Sequence, residues 1–161
     1  MTKSYWMLVD SVDSFRKAGE HGFAVHGIKS LQIKKVQRMT EGDQLLFYLS
    51  DLKKFAGTAV LTSSIKESSD PPWDIEGQDY YRYRISIKPE AILEEAKFID
   101  AFQIAPSLQY MRRWPPESWP LAFVGYLHLL PKLDFMLIEQ EMKKATNNRK
   151  NAFRKAYSKK F

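Results

Sequence analysis

The chain has 161 residues, 44% of them hydrophobic and 14% aromatic, which suits one domain with its own core. It holds no cysteine, and this removes disulfide scaffolds, thiolate metal sites and cysteine nucleophiles together. The formal net charge of +6 is uneven: from Lys143 onward there are eight basic residues and no acidic one, so residues 1–142 carry a net −2 and the basicity belongs to the tail.

No apolar run approaches the roughly eighteen residues of a membrane span. Met1-Thr2-Lys3-Ser4 leads straight into a strand-like run rather than a signal-peptide core, so a soluble, cytoplasmic protein is expected. Tyr5 to Val9, wholly apolar, reads as a central strand. Asp10-Ser11 supplies a cap, and Val12, Phe15 and Ala18 form a short helical face closed by Gly19 or Gly22. Phe23 to Ile28 is extended. Leu31 to Met39 has a mixed period that fits either a strand or a short helix. Thr40-Glu41-Gly42-Asp43 is a tight turn, followed by strands over Gln44 to Ser50 and Lys53 to Thr62.

Ser63 to Asp79 is polar, contains Pro71-Pro72-Trp73 and reads as a long loop, a length more often tied to function than to plain connection. Tyr80 to Lys88 alternates strictly, with Tyr81, Tyr83, Ile85 and Ile87 on one face and Arg82, Arg84, Ser86 and Lys88 on the other, and Pro89 is expected to end it. Glu90 to Lys97 fits a helical turn or a covering loop. A strand-poor stretch with Arg112-Arg113-Trp114-Pro115-Pro116 and Trp119-Pro120 follows. The last element of the domain is a helix from about Pro131 to Lys144, with Leu133, Met136 and Leu137 along one side and Asn147-Asn148 interrupting the pattern. Five or more short strands with few helices make a small α+β barrel, a domain over 1–142 and a basic tail over 143–161 that is partly helical or disordered.

Several islands, in order, resemble the EVE domain, a PUA-like fold related to YTH and ASCH domains. They are Tyr5-Trp6, Val25-His26-Gly27-Ile28-Lys29, Glu41-Gly42-Asp43 with Leu46-Phe47-Tyr48, and Phe55-Ala56-Gly57. Tyr81 to Pro89, Arg113-Trp114 and Phe123-Val124-Gly125 complete the set, which spans residues 5–142. The resemblance implies a PUA-like twisted β-barrel of about five to six strands with short helices at its rim. It also implies an aromatic pocket for a modified base in DNA or RNA, and no reaction. Where many members have Trp before the first glycine, this chain has His26, a smaller and titratable group.

Trp73, Trp114, Trp119 and the tyrosines near residue 80 are interleaved with Arg82, Arg84, Arg112 and Arg113. Flat aromatics stack on bases, each worth about 1–3 kcal/mol, and arginine forks onto phosphate or a base edge. The ordinary alternative for each is packing or a solvated sheet face, since aromatics carry large buried area. Trp6, in a wholly apolar strand, is read as core. His21, His26 and His128 are scattered, without metal-ligand spacing, and no nucleophile elbow or phosphate-binding glycine loop is present.

The reading is a non-catalytic module without cofactor or metal that binds a modified or extruded base. Its expected site residues are His26, Gly27, Lys29, Tyr48, Trp73, Tyr83, Arg84, Arg112, Arg113 and Trp114. The rival is an adaptor barrel for a small molecule or peptide, and a hydrolase of modified bases is a third option. A basic rim converging on the pocket from Lys29, Lys34, Lys35, Arg84 and Arg113 separates the first reading from the second.

Overall fold

The apolar runs Tyr5 to Val9 and Leu45 to Leu49 become neighbouring strands at the centre of the sheet. The computed structural model describes residues 3–20, 22–23, 25–28, 33–67, 83–125 and 127–158. In chain order the elements are β1 (Tyr5–Asp10), α1 (Val12–Glu20), β2 (Val25–Ile28), α2 (Ile33–Val36), β3 (Gln44–Leu49), β4 (Lys54–Leu61) and β5 (Lys66–Glu67). Then come β6 (Tyr83–Ile92), β7 (Ile99–Asp100), α3 (Ala101–Ile104), α4 (Trp119–Ala122), β8 (Leu127–Leu130) and α5 (Lys132–Ser158), with single 3-10 turns between several of them.

The fold is α+β, a mixed sheet with short helices. Its strands run β2-β6-β4-β3-β1-β8, with β5 added to β6 and β7 to β4. β1 and β3 are parallel and the other pairs antiparallel. Leu45 to Leu49 of β3 and Phe55 to Ala59 of β4 are buried without a break, as strands covered on both faces must be. Among the described residues the path stays open between β2 and β8. α2, which follows β2 in the chain, bridges towards β8: Val36 is buried, and Lys35 Nζ donates to the Leu127 carbonyl at 2.8 Å.

Asp43 ties the first strand to the rest. Its carboxylate is buried and accepts from the Ser4 amide, the Trp6 indole Nε1 and the Thr40 amide, each at 3.0 Å. Its backbone carbonyl accepts from Leu61 at 2.8 Å, so one residue fixes β1, the 40–43 turn and the end of β4. Gly42 makes that turn possible with a φ of +93°, a region costly for any residue with a Cβ.

Other residues depart from the sequence reading for local reasons. Pro89 does not end β6, which continues to Ile92. It lies opposite Ala59, where the β4–β6 register slips between Thr58 and Ala59, and a bulge tolerates a residue without an N–H. Gly57 sits beside both irregularities of β4, and a Cβ there would come within 2.6 Å of the Ala91 carbonyl oxygen. Of the stretch Leu31 to Met39, the described part holds the short helix α2 (Ile33–Val36), and Glu90 to Lys97 divides between the end of β6 and a 3-10 turn at Glu95–Lys97. α5 runs through Asn147-Asn148 to Ser158 as one helix.

The buried stripe of α5 is Phe135, Ile138 and Met142, whereas Leu133 and Met136 are exposed. The cause is Asp134: its buried carboxylate accepts from the Gln109 and Tyr110 amides at 2.8 Å each, which sets the rotation of the helix. Trp6 is core, as read, and β8 and α3 are elements that the sequence reading did not place. Tyr80 to Arg82 and most of the Ser63 to Asp79 loop lie outside the described residues.

Replacing Asp43 with alanine strands three donors, two of them backbone amides. Loss of a buried charged acceptor predicts destabilisation by about 3 kcal/mol, read as a lower urea midpoint at unchanged denaturant slope. Asp43→Asn, which keeps one acceptor oxygen, loses less.

Candidate nucleic-acid interface

The sequence-predicted site residues fall into separate places. The first is the junction of β2, β6 and β5. Backbone pairing sets His26 opposite Ile85, Gly27 opposite Arg84 and Ile28 opposite Tyr83, while Lys66 of β5 lies opposite Arg84 from the other side. Alternation along β6 buries Ile85 and Ile87 and leaves Arg84 and Ser86 half-buried on the opposite face, as the period-two pattern requires.

The Arg84 guanidinium is the unusual group here. Its Nε and Nη2 are shut off from solvent and have no hydrogen-bond partner among the described residues. Lys66, its cross-strand neighbour, is also cationic and exposed. Like charges directly opposite on a sheet repel, and a buried donor without an acceptor costs about 1–3 kcal/mol, more when charged. An anion that reaches the pair lowers both costs, and a carbonyl oxygen the second. Lys29 and Trp73 lie outside the described residues; Trp73 belongs to the segment that joins β5 to β6 in sequence.

The second place is a cleft of about 730 Å³ at the far end of the strand order. It is lined by Gln109, Tyr110, Arg113, Trp114 and the β8 residues Leu129 and Leu130, with Pro131. Arg112 is exposed beside it. Here the sequence reading had Arg113 and Trp114 but missed Gln109, Tyr110 and the β8 wall. Tyr110 donates to or accepts from His128 Nδ1 at 2.8 Å, and burial pushes the phenol above its ordinary range. His128 is held below its usual value, first by burial and then by Lys35, with the Val124 carbonyl pulling the other way.

Tyr48 is in neither place. It is buried, stacked on Phe123 at 4.7 Å and tilted against Phe55 at 5.6 Å, so its ring faces are covered by the core. Burial, then Asp100, raises its phenol pKa. Of the cations expected at a basic rim, Lys35 donates to the Leu127 carbonyl, Arg113 lines the cleft against β8, Arg84 lies on β6, and Lys29 is outside the described residues. A further cleft of about 600 Å³ sets Asp100 and Glu141 against Lys54, and does not concentrate one sign of charge. Among the described residues no three histidines or carboxylates gather as metal ligands would.

No protein-family model matches the chain, and no curated protein matches it in sequence. Its architecture is nevertheless shared by solved structures. The YTH domain of Mmi1 in complex with RNA superposes with a TM-score of 0.64 at 12% identity, over 91% of this chain and 82% of that one. The YTH domain of Zygosaccharomyces rouxii MRB1 in complex with N6-methyladenosine RNA gives 0.62 at 14% identity, over 88% and 87%. A Pseudomonas syringae protein gives 0.57 at 14% identity, over 86% and 99%. The chain therefore shares the fold of these YTH domains, and at these identities the likeness speaks for the fold alone.

The His128 environment makes a prediction about pH. An unfolded chain takes up its proton near the ordinary value of 6.5, the native state only at lower pH. The unfolded state then binds more protons, so stability is full above that value and falls as pH drops below it. The melting temperature is expected to fall more steeply between about pH 7 and pH 5 in the native sequence than in His128→Gln, measured by thermal scans of both.

Proposed function

We propose that this chain is a non-catalytic RNA-binding module that recognises a modified base, with Arg84 and Lys66 contacting phosphate or the base edge and Trp73 supplying a stacking wall. The observation that carries the reading is the Arg84 guanidinium, half-buried, with two nitrogens that have no partner among the described residues, and a second cation opposite it in the sheet. Such a group is poised for an oxyanion or a base carbonyl and is a poor choice for an apolar ligand. It stands on a fold shared with YTH domains that have been solved with RNA, one of them with N6-methyladenosine. That likeness favours RNA over DNA. Within the PUA-like group the ordered islands from Tyr5-Trp6 to Phe123-Val124-Gly125 support the EVE branch, with the protein acting in the cytoplasm.

The bulk charge fits this division of labour. Residues 1–142 are near neutral, and the eight basic residues beyond them add a sequence-blind attraction to phosphate that fades with salt. Discrimination then belongs to the folded site. Burying a methyl group is worth about 0.8 kcal/mol. A tenfold preference needs about 1.4 kcal/mol, and the difference must come from stacking and edge contacts.

The test is a titration of the full chain with short single-stranded RNAs that differ only in one N6-methyladenosine, at about 150 mM salt. The ratio of the two affinities cancels the tail. A preference of about tenfold or more is expected, with Trp73→Ala collapsing the ratio and Arg84→Ala weakening both RNAs by about tenfold. Equal affinity for the two RNAs rejects recognition of that modification. Absence of RNA binding favours the adaptor reading.

A further inference from the structure

We propose that the cleft between Arg113-Trp114 and β8 is a separate subsite for one nucleoside monophosphate unit, its base against Trp114 and Tyr110 and its phosphate on Arg113. The inference deepens the RNA reading and rests on it only for the source of that unit. Four features of the cleft lead there.

The first is size and lining. About 730 Å³ lies within the span of small-ligand pockets, and the walls are apolar at Leu129, Leu130 and Pro131 with two aromatic rings opposite. The second is presentation. Trp114 is 36% exposed although its backbone is fixed on both sides: its amide donates to Met111 at 3.0 Å and its carbonyl accepts from Trp119 Nε1 at 3.0 Å. A large ring carried on a pinned backbone and left uncovered is a platform on which a base can stack. Tyr110 is fixed likewise through its hydroxyl and His128 Nδ1.

The third is charge. The described lining holds no carboxylate, and Arg113 makes no ion pair among the described residues. Asp134, the nearest acid on α5, has both oxygens engaged by the Gln109 and Tyr110 amides, so it orders the cleft rather than opposing an anion. The fourth concerns the alternative of a peptide strand adding to β8. Lys35 already occupies the Leu127 carbonyl, which interrupts the row of acceptors that strand addition needs. A guanidinium without an ion pair among the described residues, beside an exposed indole, suits a phosphate joined to a planar base better than it suits a peptide.

Adenosine monophosphate, adenosine and a short unmodified RNA are the probes, each added to the full chain labelled with nitrogen-15. The Trp114 indole signal, assigned by its loss in Trp114→Phe, and the Gln109 and Tyr110 amides are expected to shift saturably with the monophosphate. Adenosine should bind about tenfold more weakly or worse at these signals, and Arg113→Glu should lower the monophosphate affinity they report by about tenfold or more. A loss of RNA affinity in Arg113→Glu identifies a strand as the source, and no such loss identifies a free mononucleotide. Signals that stay still up to the highest soluble concentration, or equal binding of adenosine and its monophosphate, overturn the proposal. The ratio for methylated over unmethylated RNA is read separately, so failure of the base-reading site shows there and not in these signals.

Discussion

A carboxylate taken out of water in an apolar core is costly unless its oxygens are filled by donors, and Asp43 meets that condition with two amides and an indole. Because those donors come from Ser4, Trp6 and Thr40, the condition can be met only when β1 lies parallel to β3 in one register, Trp6 opposite Leu45. A slip by one residue would carry the Trp6 indole to the other face of the sheet and leave the carboxylate unfilled. The remaining strands build outwards from that pair, β4 and β6 on one side and β8 on the other.

Asp134 repeats the device at the edge of the molecule. One buried acid gathers two amides of the 109–111 turn, and by doing so fixes both the rotation of α5 and the shape of the cleft against β8. The two charged positions most committed to structure are thus acidic. Arg84 and Arg113 are cations left without ion pairs among the described residues. That asymmetry is what would let a nearly neutral body hold the polyanionic ligand proposed for it.

Much of the fold was legible because it is written in local patterns. Unbroken apolar runs marked β1 and β3, and strict alternation marked β6. Val12, Phe15 and Ala18 marked α1, of which Phe15 and Ala18 are buried. Pro89 misled because its usual meaning fails at a bulge, and no sequence signal shows that Ala59 lies opposite. β7 and β8, at two and four residues, are too short for a period to show. The cleft was half legible: Arg113-Trp114 is conspicuous, but the wall it faces is about fifteen residues further on and is brought there by Asp134. Arg84 was legible as a polar-face arginine. That two of its donors lack partners among the described residues is a property of the packing alone.

The bond from Lys35 to Leu127 has a meaning for how the chain assembles. β8 joins the sheet by placing Leu130 opposite Tyr5, a closure that spans most of the domain and is entropically among its most expensive. Until such a pairing closes, a strand with open acceptors is a template for another molecule's strand. A lysine set on the Leu127 carbonyl puts a charge on that edge as soon as it closes. The same bond that helps bridge the gap between the two ends of the sheet therefore also guards a newly folded molecule against pairing with its neighbours.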